Sequence, residues 1–297
     1  MSLTLKRIIM VTLGVLGACM VWPCLLAVQY YQTAFPGYLF FSLAQGMLFG
    51  LFFGAIFGSF EGIVVSSRPK AFKGLALGAA AGLVAGATGV LAGQSFLFRA
   101  AEEILSTWES GRDLGIVAAN GVGWALIGLF VAMIEGFRSR SARKLLVGLA
   151  GGIVGGVMGG AALQALLFLF PSSQYALLAG LVLFGFFLSF CYSFFENRFS
   201  WGSVKLLNGP LKNKEYHLVK ARMSVGTKST CDIVLEGYRD VEPVHAWVGM
   251  RKGRMYVTSA QTERPLKVNE ERTNEAQLRR EDVIAVGSAK FMYGIFS

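Results

Sequence analysis

Six stretches of this chain, about 8–31, 38–65, 72–98, 113–137, 145–170 and 174–197, each run for 24 residues or more with almost no charge. A bilayer core of roughly 30 Å is crossed by about 20 apolar residues in a helix. Stretches of this length and composition are stable as spans in lipid, which predicts about six transmembrane helices. Only 15% of the 297 residues are charged, against about a quarter in an ordinary soluble protein, and the deficit is uneven. Between Arg7 and Trp201 there are 18 charged residues, whereas from Ser200 onward there are 16 Lys plus Arg and 11 Asp plus Glu. The shift divides the chain into a polytopic membrane domain, 1–199, and a soluble domain, 200–297. The fold class expected is a membrane all-α bundle with Gly-rich hairpin repeats, followed by an all-β sandwich.

Loop charge sets the expected orientation. One side carries Lys6, Arg7, Arg68, Lys70, Lys73, Arg138, Arg140, Arg143 and Lys144; the other carries Arg99 and Arg112 beside Glu102, Glu103, Glu109 and Asp113. Both termini are therefore expected in the cytosol, in a bacterial inner or plasma membrane. The basic rim Arg68, Lys70, Lys73, Arg138, Arg140, Arg143 and Lys144 is expected to meet anionic lipid. A rival reading takes Leu16-Gly17-Ala18-Cys19 as a lipoprotein signal. Apolar residues continue to Val28, too far for a cleaved signal, so a retained helix bent at Pro23 is the reading preferred. The amphipathic stretch from Arg99 to Asp113, with Ile104, Leu105 and Trp108 against its carboxylates, is expected as a loop on the outer surface.

Glycine recurs every four residues at Gly46, Gly50, Gly54, Gly58 and Gly62, at Gly74, Gly78, Gly82 and Gly86, and at Gly148, Gly152, Gly156 and Gly160. Such spacing puts the glycines on one helix face, where a second backbone can approach closely. Packing inside one bundle is preferred over helices that slide or open a path. A repeat of 74 residues relates Glu61-Gly62 to Glu135-Gly136, Ser67 to Ser141 and Lys70 to Lys144, with a weaker third copy at Glu196-Asn197-Arg198. The architecture expected is three helical hairpins. Glu61, Glu135 and Glu196 stand near span ends, where a carboxylate is either functional or paired. They could ring a cation path or relay protons; pairing with Arg68, Arg138 or Arg198 is preferred.

Beyond Trp201 short strands alternate with polar turns. Strands are expected at 203–207, 216–220, 223–225, 233–235, 246–250, 255–259, 266–268, 283–286 and 291–294, with hairpin turns at Asn208-Gly209 and Lys252-Gly253. Six segments in order are Asn208-Gly209-Pro210, Ser224-Val225-Gly226, Cys231-Asp232-Ile233-Val234-Leu235, Val244-His245-Ala246-Trp247-Val248, Val268-Asn269 and Arg280-Glu281-Asp282-Val283-Ile284-Ala285-Val286-Gly287. Together they resemble the forkhead-associated (FHA) domain over about 203–297.

The resemblance implies a β-sandwich that binds phosphothreonine peptides through loops at one end. A phosphate needs Arg, Ser or Asn donors, and this sequence departs from the family at those positions. Thr227 stands where the family carries arginine, Glu242 where it carries serine, Pro243 follows, and Thr262-Glu263-Arg264 replaces an Asn-Gly-Thr. His245, which the resemblance assigns to loop geometry, is kept. Lys228, Ser229 and Arg264 could rebuild an anion site. A phospho-independent docking surface over Thr227, Lys228, Ser229, Glu242, His245, Arg264 and Asn269 is the reading preferred, with His245 and Asn269 as structural residues.

No Ser/His/Asp set can be assembled from His217 and His245, and the glycine runs lack a GK[ST] ending. Cys19, Cys24, Cys191 and Cys231 have no metal-ligand spacing. No catalysis, cofactor, metal or nucleic-acid partner is expected. The leading function is a membrane scaffold or regulatory subunit, in an oligomer or hetero-complex, that docks a protein partner through the FHA-like domain. The alternative is a channel or transporter with a pore of Gly-rich hairpins, and phospho-dependent signalling stands third.

Overall fold

The computed structural model describes residues 3–65, 67–107, 112–139, 141–261 and 266–294. Among these residues six helices come first: α1 Leu3–Tyr30, α2 Tyr38–Val65, α3 Arg68–Thr107, α4 Arg112–Ser139, α5 Ala142–Leu169 and α6 Gln174–Arg198, with a 3-10 turn at Gln32–Ala34. Five of them, α1, α2, α3, α5 and α6, are long and apolar enough to cross a membrane. Outward side chains such as Leu16, Phe72, Val84, Leu149, Val157, Phe190 and Phe194 are exposed, as a lipid-facing surface requires. The expected surface loop at Arg99–Asp113 is corrected, because α3 continues through Thr107 and α4 starts at Arg112. A polar, amphipathic stretch with no Gly or Pro to stop it extends the preceding helix. Trp108 and Glu109 lie outside the described residues.

The contact pattern separates two units. One comprises Met1–Lys6, Gly62–Lys70 and Glu196–Ser297, and the other Arg7–Glu61 and Ala71–Phe195.

In the helical unit α2 and α3 meet backbone to backbone. A Cβ built on Gly54 would lie 2.7 Å from the Gly82 Cα, and one on Gly58 would lie 2.8 Å from the Gly78 Cα. Any side chain there has to push the helices apart. Helix α5 presents glycine on two faces. Gly152 and Gly156 abut Leu129 and Ala125 of α4, while Gly151, Gly155 and Gly159 abut Tyr192, Leu188 and Phe184 of α6. The second face, three residues out of phase with the first, extends the stripe read from the sequence.

The 74-residue repeat has a structural counterpart. Ser67 N–H donates to the Gly62 carbonyl at 2.9 Å, and Ser141 N–H to the Gly136 carbonyl at 3.2 Å. Gly128 approaches the Gly156 Cα as Gly54 approaches that of Gly82.

Among the described residues the sandwich has eleven strands: β1 Ser203–Leu206, β2 Glu215–His217, β3 Arg222–Gly226, β4 Ile233–Val234, β5 Ala246–Arg251, β6 Arg254–Ser259, β7 Leu266–Val268, β8 Glu271–Thr273, β9 Glu275–Gln277, β10 Val283–Val286 and β11 Ala289–Gly294. One sheet is ordered β2-β1-β11-β10-β7-β8 and the other β4-β3-β5-β6-β9. Leu206, Val225, Ile233, Leu235, Ala246, Val257, Leu266, Ile284 and Phe291 fill the core between them. Strands β8 and β9 were not expected, since neither carries an apolar alternation. Lys252 and Gly253 both take positive φ in the β5–β6 turn, as a two-residue type I′ hairpin requires. Asn208-Gly209 does not close a tight hairpin; the β1–β2 connection closes at Asn213, whose N–H donates to the Leu206 carbonyl at 2.8 Å. Asn208 instead ties the β10–β11 turn, donating to the Ser288 carbonyl at 2.8 Å and accepting from Lys290 N–H at 2.9 Å.

A polar clasp fixes the β3–β4 loop. The Asp232 carboxylate accepts from Lys220 Nζ at 2.6 Å, Ser224 N–H at 2.8 Å and Ser224 Oγ at 3.0 Å. Burial alone would raise its pKa. The Lys220 ammonium and the hydrogen bonds from Lys220 and Ser224 outweigh burial and hold it below the usual carboxylate range.

Gly54→Leu in the full-length protein should destabilise the α2–α3 pair by about 1–3 kcal/mol or more, read as a lower melting temperature in detergent. Gly37→Ala, which meets nothing within 4 Å, should leave melting unchanged. Because the Asp232 pKa is depressed on folding, its contribution is present above about pH 4 and lost as pH falls through the folded value. Asp232→Asn should cost about 2 kcal/mol at neutral pH and flatten the acid limb of the sandwich's stability profile measured by circular dichroism.

Candidate functional site

The end of the sandwich built from the β3–β4 and β4–β5 loops gathers most of the predicted docking residues. Gly226 ends β3 where the Pro243 backbone crosses it; a Cβ there would lie 2.7 Å from the Pro243 carbonyl carbon. The two loops are stitched together by their own backbones. Thr227 N–H donates to the Glu242 carbonyl at 3.0 Å, Lys228 N–H to the Pro243 carbonyl at 3.1 Å, and His245 N–H to the Val225 carbonyl at 2.8 Å. His245 is buried, and its Nδ1 accepts from Glu242 N–H at 3.3 Å. Thr227 and Glu242 are half-buried, while Lys228 and Ser229 are exposed.

This end carries the hydroxyls of Thr227 and Ser229, the ammonium of Lys228 and the carboxyl of Glu242, whose backbone carbonyl accepts from Thr227 N–H. Arg264 lies outside the described residues. Asn269 is not part of this cluster. It sits in the β7–β8 turn with φ 50°, donating to Asp282 Oδ1 at 2.8 Å and accepting from Val283 N–H at 2.9 Å.

Within the unit that contains the sandwich, Lys70 Nζ donates to the Cys231 carbonyl at 3.2 Å. Ser67 and Arg68 line a cavity of about 520 Å³ with Thr227 and Ser229. Lys70 therefore holds the β3–β4 loop backbone, a contact that its place in a basic loop did not suggest. Lys73 is exposed and Arg143 half-buried. The side chains of Arg138 and Glu135, and Arg140, lie outside the described set.

Two membrane carboxylates lie against lysines. Glu61 Oε2 lies 3.3 Å from Lys144 Nζ, and Glu196 Oε2 lies 2.7 Å from Lys6 Nζ. Lys144 is buried at 4% exposure, a setting in which a charge requires pairing and hydrogen bonds. The pair joins the end of α2 to the start of α5, and thereby the first copy of the repeat to the second. Ser141 caps α5 by accepting from Lys144 N–H at 3.3 Å. Among the described residues no group of His, Cys, Asp and Glu is placed to hold a metal ion.

Residues 205–294 match the family model Yop-YscD_cpl, described as the cytoplasmic domain of an inner membrane component of T3SS. No curated protein matches the chain. Among solved structures, the FHA domain of the CT664 protein from Chlamydia trachomatis is 19% identical, aligned over 32% of this chain and 98% of its own, with a TM-score of 0.30. The FhaA FHA domain, solved with the intracellular domain of Rv3910, is 18% identical over 31% and 98%, with a TM-score of 0.28. An FHA domain from Arabidopsis thaliana is 13% identical over 33% and 87%, with a TM-score of 0.31. With its six FHA-like segments set in the strands and turns of a two-sheet sandwich, the carboxy-terminal domain is FHA-like, and it matches the cytoplasmic domain of a T3SS inner membrane component.

Proposed function

We propose that this protein is a membrane-embedded scaffold or regulatory subunit that docks a cytosolic protein partner through a phospho-independent FHA-like domain, inside a larger membrane complex. The observation that carries the reading is the match of residues 205–294 to a cytoplasmic domain of an inner membrane component. It supports a cytosolic sandwich, and the basic side of the loops supports cytosolic termini with Arg68, Lys73 and Arg143 toward anionic lipid. Residues 1–199 anchor the domain and 200–297 present it.

Phospho-independence rests on the loop end. Thr227 offers one hydroxyl where a guanidinium would give a bidentate clamp, and Glu242 opposes an incoming phosphate. The loops need no ligand to be ordered, because His245 and the backbone bonds across Thr227, Lys228 and Glu242 already hold them. Transport is not the reading adopted, since Glu61 and Glu196 each face a lysine, which accounts for both carboxylates without an ion path.

The full-length protein in detergent should show no binding to a phosphothreonine peptide library by fluorescence anisotropy, and the double variant T227R/E242S should gain it. Binding by the unmodified protein that disappears in Lys228→Ala would establish phospho-dependent recognition instead. Crosslinking in the native membrane followed by purification should recover the chain with a stoichiometric protein partner. Recovery as a lone monomer would remove the scaffold reading.

A further inference from the structure

Across the outer face of the six-stranded sheet, strand register sets Arg272 opposite Lys267, Lys267 opposite Ala285, and Ala285 opposite Lys290. These residues form one row over β8, β7, β10 and β11. All three basic side chains are exposed, and none has an ion pair among the described residues. Lys267 and Arg272 are direct cross-strand neighbours, an arrangement in which like charges destabilise a sheet. Folding alone gives no reason for it.

The row lies in a groove of about 1180 Å³ that Leu207, Val283 and Ala285 also line. Ala285 leaves space between the flanking cations, and Leu207 and Val283 are half-buried apolar surfaces. Asp240 and Glu270 border the same groove. Glu270 belongs to the β7–β8 turn, and Asp240 meets the β10–β11 turn, where a Cβ on Gly287 would lie 2.7 Å from the Asp240 carbonyl carbon. The two carboxylates thus stand off opposite ends of the strands, and the cations lie between them.

We propose that this groove is the domain's docking surface and that its occupant is an acidic segment of a partner protein, laid across the strands. The inference rests on the scaffold reading and names the chemistry of the partner. Three unpaired cations call for carboxylates. Strands are about 4.8 Å apart, so the cations on β8, β7 and β11 step across the sheet by about 5 and then 10 Å, within reach of carboxylates spaced about 7 Å apart on alternate residues of an extended chain. Leu207 and Val283 supply apolar contact for residues between the acidic ones. A flat anionic bilayer fits less well, because it would press against Asp240 and Glu270 together with the cations. A narrow acidic chain meets the cations alone.

The test uses the full-length protein in phosphatidylcholine nanodiscs, with a fluorescent oligoglutamate peptide as probe and oligoglutamine as control. Oligoglutamate should bind, with an affinity that falls as salt rises. Its dissociation constant should rise about tenfold or more in K267E/R272E/K290E, the change expected when a few charge contacts are reversed. The equal-charge variant R222E/R251E/R254E, altered on the opposite sheet, should bind as the parent does.

The single change Arg272→Glu guards against misfolding. It converts the like-charge pair into an opposite-charge pair, so it should raise the melting temperature while weakening the peptide. Equal loss in both triple variants, or binding transferred to vesicles containing phosphatidylserine, overturns the groove as a protein-docking site. If the partner recovered by crosslinking comes equally with K267E/R272E/K290E, the inference fails and the scaffold reading stands. If no partner comes with either protein, both fail.

Discussion

In lipid, two apolar helices gain little by leaving their surroundings for one another, since the acyl chains are as apolar as Leu or Phe. What remains is van der Waals contact, and that depends on how closely the backbones approach. Helices α2 and α3 approach to the limit that glycine permits, with Gly54 and Gly58 set directly on Gly82 and Gly78. The other contacts of the helical unit are arranged around this constraint. Helix α5 repeats the solution on both of its sides, so α4 and α6 are each fitted to a glycine surface. The 74-residue repeat is the same solution used twice, down to the Ser-to-Gly hydrogen bond that closes each turn. The Glu61–Lys144 pair adds a charge contact between the copies.

The sandwich is held on a different principle. Its core is ordinary two-sheet burial, but its loop end is held by polar contacts made locally. Asp232 draws Lys220 and Ser224 onto the β3–β4 loop, His245 fixes the β4–β5 loop, and Asn208 fixes the β10–β11 turn. Each of these side chains bonds a backbone group of the segment it holds. The framework of loops is therefore independent of what the loop tips carry. Thr227 and Glu242 can depart from the phosphate-binding pattern without loosening the fold.

Much of this was legible from residues alone. Span positions, the glycine faces, the repeat offset and the FHA-like order of segments all follow from periodicity and motif. The failures have physical causes. Helix α3 runs past Arg99 because nothing in 99–107 stops a helix, and a change of polarity alone does not end one. Strands β8 and β9 escaped notice because their side chains are nearly all exposed, so no alternation marks them. Missing β8 also hid the row it completes, since Arg272 gains a place beside Lys267 only once the strand pairing is known. The contacts of Glu61 with Lys144 and of Glu196 with Lys6 join residues distant in sequence, which proximity along the chain does not suggest.

The unpaired row gives the sandwich an asymmetry that the core does not explain. On the opposite sheet the exposed cations are matched, with Arg222 stacked 4.1 Å over the Trp247 ring and Arg251 3.2 Å from Glu275. On the outer face of β7 and β8 the cations have no such partners, although a single acidic residue at position 272 would have supplied one. Cross-strand pairing is worth several tenths of a kcal/mol at each such position, so the arrangement forgoes stability in a small domain. A surface that carries this cost, beside half-buried apolar residues, has the properties of a contact completed by another molecule. On this proposal, what shapes the domain is separate from what it holds, and an FHA-like framework needs no anion donors at its loop end to dock a partner.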